Sequence, residues 1–267
     1  MDLPEELSRR EQRLVAIAKA KAEIERRAAE RHALEQQAYE KKLDEREKKA
    51  TQSGKKPRGK NIKPPIPGPS DKDQVNLTDS ESRIMPKGKG FEQAYNAQIC
   101  VDADSLLVVS HGMSSHCNDK AELKPMLTTL AELPSPLGSV GNLLADSGYF
   151  SEENVRACIE AKIQPYIAPG REEHNLSAFE RFAEPTSPCP DATSDPVGAM
   201  RHRLRTKAGK ALYRLRKSTV EPVIGIIKSI LGLREFSFRG AKLVSSEWGI
   251  VCTAWNIKRL HCMIQAS

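Results

Sequence analysis

Half of the first fifty residues are charged, and nothing beyond their first turn interrupts a helix. Residues 1–50 carry 13 basic and 12 acidic side chains, no glycine and a single proline, Pro4. That composition favours a continuous helix. Its apolar side chains are too sparse for a core: Leu7, Leu14, Ile17, Ile24, Leu34 and Leu43 stand out. The first four fit a heptad seam, after which the register is lost. The segment therefore reads as a solvated helix laced with ion pairs, with a coiled-coil or partner-binding helix as the alternative. Residues 51–80 change character, with TQSGKKPRGKNIKPPIPGPSDKDQ rich in Pro, Gly and Lys. This predicts a disordered or extended linker. Lys55, Lys56, Arg58, Lys60 and Lys63 make it locally basic and able to meet phosphates without reading sequence.

The whole chain has 267 residues, 39% of them apolar, and a formal charge of +7. It has no apolar run long enough to span a bilayer. Its start, MDLPEELSRREQ, lacks the apolar stretch of a secretory signal. A cytoplasmic protein is expected rather than a membrane or secreted one. The six cysteines are scattered without a C-x-x-C pair, which reads as reduced thiols, mostly buried. His111, His116 and Cys117 are the nearest approach to a zinc site and lack a fourth ligand nearby.

The globular part occupies 81–262. YNAQICV (95–101) and LLVVSHG (106–112) flank the turn Asp102–Ser105 and predict an antiparallel hairpin. Residues 119–132 have helical spacing, with Asp119 and Glu122 as a capping box and Pro125 near the start. Leu143–Ala145 is a short strand ending at Asp146. Gly148 breaks it, Ser151 caps a helix, and QPYIAP (164–169) supplies another strand. A mixed α/β sheet follows. Residues 170–200 read as an irregular insertion. A helix is expected from about 211 to 231, with Pro222 inside it or at a helix start. A core-facing helix over 243–262 carries Val244, Trp248, Val251, Cys252, Trp255 and Ile257.

Residues 201–242 contain 12 cations and two acids, a surplus of +10. Glu221 is one of the two acids. Asp146 lies at the C-terminal end of a predicted strand, the edge where open α/β sheets bind ligands. Each alone has an ordinary explanation, an ion pair with Lys217 or a turn cap. Together they suit phosphodiester chemistry: carboxylates hold Mg²⁺ or Mn²⁺, and surrounding cations tolerate a polyanion. Arg214, Arg216, Lys217 and Lys228 surround Glu221 in sequence.

ADSGYFSEENV (145–155), TVEPVIGIIKSILGLREFSFRG (219–240) and EWGIVCTAWNIKRL (247–260) resemble the catalytic domain of bacterial insertion-sequence transposases of the DDE type, as do DSESRIM (79–85) and FEQAYNAQICVD (91–102). The resemblance covers essentially the whole chain and is most specific from about residue 79. It implies a ribonuclease-H-like fold, two divalent metal ions held by three carboxylates, and DNA cleavage and strand transfer at element ends. Asp146 matches the second carboxylate and Glu221 the third. Tyr213, Arg216 and Lys228 match the signature around the glutamate, with Arg216 and Lys228 contacting DNA phosphate or orienting Glu221. The resemblance places the first aspartate on a strand upstream of the charged helix, and this chain starts inside that helix. Asp102 and Asp104 are at the wrong end of the hairpin to replace it. The resemblance thus implies the C-terminal portion of a transposase, a truncated or split copy completed by the missing N-terminal half and working as a homo-oligomer on DNA. A non-catalytic DNA-binding or regulatory fragment is the alternative, resting on the +10 stretch. A coiled-coil interaction protein would rest on residues 1–50 alone.

Overall fold

The computed structural model describes residues 3–53, 61–88, 90–170, 185 and 187–266. The chain divides into two compact units, 1–84 and 85–267.

In the first unit, α1 runs Leu3–Ser53 without a break. Ion pairs one turn apart line it, among them Arg9–Glu5, Arg10–Glu6 and Arg26 with both Glu23 and Glu30. Such exposed pairs each contribute only a few tenths of a kcal/mol, about 0.3–0.5, so helix continuity comes from the absence of breakers. Leu7, Leu14 and Ile17 of the expected seam stay exposed. Residues 54–60, with Lys55, Lys56, Arg58 and Lys60, lie outside the described residues. Residues 61–82 form neither helix nor strand, yet they are tied to α1. Arg31 donates to both carboxylate oxygens of Asp73, at 2.7 and 2.9 Å, and to Gly68 O at 3.3 Å. Arg27 donates to Ser80 O. Ala28, the small residue between them, is 1% exposed. An arginine fork on a carboxylate is the strong form of such a contact.

Among the described residues the second unit is built from short strands and five α-helices. β1 (Arg83–Lys87) leads into it and pairs with β2 (Gly90–Ala94). β3 (Asn96–Val101) and β4 (Val108–Ser114) form the expected antiparallel hairpin, with Cys100 opposite Ser110 and a register shift before Val101. Asp102 fastens its turn, accepting from Ser105 N at 2.8 Å and Ser105 Oγ at 2.6 Å. After α2 (Leu123–Ala131), β5 (Asn142–Ala145) and β6 (Gln164–Ile167) pair in parallel around the crossover helix α3 (Glu152–Glu160). Ser151 caps α3 as expected, accepting from Asn154 N at 3.1 Å. Helices α4 (Pro196–Arg205), α5 (Lys207–Ser229) and α6 (Ala241–Ala266) complete the unit.

Three features of the secondary structure differ from the sequence expectation. Among the described residues the ladders remain three separate two-stranded sheets, so one continuous mixed sheet is not formed. The Asp119–Glu122 capping box is absent, because both carboxylates have distant partners: Asn96 and Gln98 for Asp119, His116 for Glu122. Inside the stretch taken as irregular, α4 starts at Pro196 with Asp195 as its cap, accepting from Gly198 N at 2.7 Å.

Two apolar clusters hold the unit. One gathers Leu123, Leu127 and Leu130 of α2, Leu143 and Ala145 of β5, Val155 and Cys158 of α3, and Met200 of α4. The other sets Val223 and Ile227 of α5 against Val108, Trp248, Cys252 and Trp255. α6 lies along the hairpin through polar contacts too. Trp248 Nε1 donates to Gln98 O at 3.0 Å and Trp255 Nε1 to Leu106 O at 2.8 Å. Asn256 exchanges two 2.8 Å hydrogen bonds with the Val108 backbone. Ile257 is 64% exposed, on the opposite side of α6 from the stripe expected to hold it. Burial raises the thiols of Cys100 and Cys252 to about 12 and that of Cys158 to about 11. Cys158 and Cys252 are buried, Cys100 is partly buried, and Cys117, Cys189 and Cys262 are exposed, so the cysteines are not mostly buried.

The Arg31 fork and the Ser70 N–H hold the Asp73 carboxyl down at about 2. Because its folded value lies below the unfolded one, its contribution is complete above about pH 4 and lost as pH falls toward 2. Hydrogen exchange at Ser70–Asp73, corrected for intrinsic rate, should accelerate across that window, and Arg31→Ala should abolish the pH dependence.

Candidate active site at the end of β5

Asp146 follows the last residue of β5 directly, where the strand runs out of its partner. Its Oδ1 accepts from Gly148 N at 2.8 Å, which caps the 3-10 turn Ser147–Tyr149. The side chain remains half exposed, at 49%. A Cβ on Gly148 would stand 3.0 Å from Asp146 Oδ1 and 3.1 Å from Asp119 Oδ2. A side chain at this point would therefore press on two carboxylate oxygens, which would have to give by a few tenths of an ångström. Those oxygens lie within about 6 Å of each other, since both are within 3.1 Å of that one position.

α5 reaches this strand end with two side chains. Tyr213 OH donates to Ala145 O at 3.3 Å, the carbonyl just before Asp146. One turn on, Arg216 places NH1 3.8 Å from Asp146 Oδ2, with its guanidinium 5.4 Å from the centre of the Tyr213 ring. Among the described residues, the buried Arg216 Nε has no hydrogen-bond partner. Stacking on the phenol and proximity to the carboxylate compensate part of that desolvation.

Glu221 sits elsewhere on α5. Five residues separate it from Arg216, about 140° around the axis at 3.6 residues per turn. The inward face carries Thr219, Val223 and Ile227, and Glu221 is exposed. It shares an outer stripe with Lys207, Lys210, Arg214, Lys217 and Lys228, spaced three, four or seven apart and spanning roughly 32 Å. The structure thus brings Tyr213 and Arg216 to Asp146 and leaves Arg214, Lys217, Glu221 and Lys228 on the outer face. Pro222, exposed next to Glu221, is accommodated inside the helix.

Among the described residues, no three His, Cys, Asp or Glu side chains gather to hold a metal ion. His111, His116 and Cys117 do not form a site, and His116 instead meets buried Glu122 at 2.5 Å. Asp146 offers a hard carboxylate on an accessible strand end, which suits Mg²⁺ or Mn²⁺ in kind. A divalent ion there would take over the charge compensation that Arg216 provides.

Spacing alone missed a polar group beside Asp146: Asn96, Gln98, Asp119 and Tyr149. Asn96 and Gln98 alternate on one face of β3, a signal that polar residues in a strand followed by an Asp-led turn could have given.

A family model described as the transposase DDE domain matches residues 64–257. The chain belongs to the DDE transposase family. No curated protein and no solved structure matches the chain. The family's activity is transposition, a nuclease and transferase chemistry on DNA for which its members generally use divalent metal. No helix among the described residues is long and apolar enough to cross a membrane.

Gly148→Ala should displace Asp146 Oδ1 or Asp119 Oδ2 and cost about 1–3 kcal/mol of stability as an overpacking substitution. Thermal or urea unfolding measures it.

Proposed function

We propose that this chain carries two carboxylates of a transposase active site, Asp146 and Glu221, and acts on DNA in Mg²⁺- or Mn²⁺-dependent strand cleavage and transfer at insertion-sequence ends. The observation that carries this reading is Asp146, half exposed at the end of a parallel strand, facing a helix that is cationic on its outer face. The divalent ion would supply activation of the attacking oxygen and stabilisation of the leaving one. Asp146 would be one ligand, with its Oδ1 orientation fixed by Gly148 N–H. Arg216 would pass from Asp146 to a DNA phosphate as the ion arrives, keeping its stack on Tyr213. Lys207, Lys210, Arg214, Lys217 and Lys228 would line the DNA backbone along α5. Glu221 would join Asp146 by a bend at Pro222, since proline removes one helical hydrogen bond there, and not by a turn of α5, which would draw Val223 and Ile227 out of the core.

The ribonuclease-H-like arrangement goes with this reading. In it, a strand between the hairpin β3–β4 and the pair β5–β6 would join the two ladders. Both β3 and β5 are already touched by α5. The active assembly would be an oligomer in the cytoplasm, on the nucleoid. A second reading, a non-catalytic DNA-binding or regulatory fragment, is favoured by one observation: Glu221 lies on the outer cationic stripe rather than beside Asp146.

Nicking of an end-containing duplex in Mg²⁺ or Mn²⁺ separates the two. Under the first reading, Asp146→Asn and Glu221→Gln each lower cleavage by at least a hundredfold and leave DNA affinity unchanged. Under the second, wild type binds DNA and does not cut. In either case DNA affinity falls steeply with salt, and Arg214→Ala or Lys217→Ala should each reduce the slope of log K against log salt by about 1.

A further inference from the structure

We propose that Asp119 is a positioning residue for Asp146, acting through Gln98 and Tyr149. The inference rests on the reading of Asp146 as a metal-holding carboxylate. Asp119 opens the 3-10 turn Asp119–Ala121, far from Asp146 in sequence. Its Oδ1 accepts from Asn96 Nδ2 at 2.8 Å and from Gln98 Nε2 at 3.0 Å. Gln98 Nε2 spends its second hydrogen on Asn96 Oδ1 at 2.8 Å. Both amide hydrogens are then committed, and Gln98 Oε1 must face the other way. There it accepts from Tyr149 OH. Tyr149 is the last residue of the turn that Asp146 caps.

Asp119 thus fixes which way a buried amide points, and the amide fixes the phenol that closes the Asp146 turn. Gln98 is 4% exposed, so a flipped amide would set Oε1 against the Asp119 carboxylate with no water to relieve it. A second tie is independent of Gln98. Buried Asn154 donates through Nδ2 to Lys120 O and to Tyr149 O, both at 2.8 Å, and so fastens the Asp119 turn to the Tyr149 turn. Burial first, and then the charges of Asp119 and Asp146, raise the Tyr149 phenol above its usual range. Tyr149 therefore remains a donor at neutral pH.

The test uses Mn²⁺ binding to the full chain, read by electron paramagnetic resonance, with Asp146→Asn as the control that removes the site. Asp119→Ala should weaken Mn²⁺ about tenfold, in the range seen when a group orienting a metal ligand is lost. Tyr149→Phe should do the same. Asp119→Asn keeps an oxygen for both amide donors and should stay within about twofold of wild type. That rescue separates orientation from simple loss of a charge near the metal. Mn²⁺ affinity unchanged in Asp119→Ala with the fold intact overturns the proposal, and so does an Asn variant as weak as Ala. Should wild type bind no Mn²⁺, the metal reading of Asp146 fails, and amide exchange at Ser147–Tyr149 decides the positioning role instead. Faster exchange there in Asp119→Ala but not in Asp119→Asn, with β5 unaffected, supports it; equal exchange in all three proteins overturns it.

Discussion

A buried amide has to be satisfied, and in this protein the satisfaction of Gln98 joins parts of the chain that no backbone ladder connects. Its side chain holds Asp119 and Tyr149, and its carbonyl accepts from Trp248 Nε1. The hairpin, the turn before α2, the turn after β5 and the C-terminal helix therefore meet at one residue of β3. An unpaired polar group in such a place costs about 1–3 kcal/mol. The network is therefore most stable when all its members are present, and the geometry of the strand end is set by that condition.

Around this joint, charge is handled in two different ways. On the inner side of α5, Arg216 is drawn partly out of water against Asp146 and Tyr213, and its Nε has no acceptor among the described residues. On the outer side, lysines and Arg214 stand in solvent along roughly 32 Å of helix. The inner arginine is held by a carboxylate and a ring, whereas Lys207, Arg214, Lys217 and Lys228 are exposed. The two sets suit different tasks, one local to Asp146 and one spread along a polyanion.

Much of this was legible from residues. The hairpin followed from two β-rich runs around Asp102–Ser105, and the α3 cap from Ser151 with two acids behind it. The C-terminal helix was visible from the Val244, Trp248, Cys252 and Trp255 spacing. The start of α4 was missed because its surroundings are polar and proline-rich, although Asp195-Pro196 has the form of a cap followed by proline at the first helical position. The capping box at Asp119 was misread because local rules cannot see that Asn96 and Gln98 compete for the same carboxylate. The phase of α5 was readable and went unread. Thr219, Val223 and Ile227, four apart, define the inward face, and that alone turns Arg216 toward Asp146 and Glu221 away. The approach of Asp119 to Gly148 depends on tertiary packing, which no spacing encodes.

The separate ladders have a mechanical consequence. Where strands share a sheet, their hydrogen bonds resist sliding of one past another along many residues at once. Between the hairpin and the parallel pair, resistance to such shear comes from side chains: one glutamine, one tyrosine, one asparagine and the aliphatic packing of α2 and α5. The stiffness of Asp146 relative to β3 is therefore a property of a few amides, and a register change in the hairpin would be felt at the strand end through them.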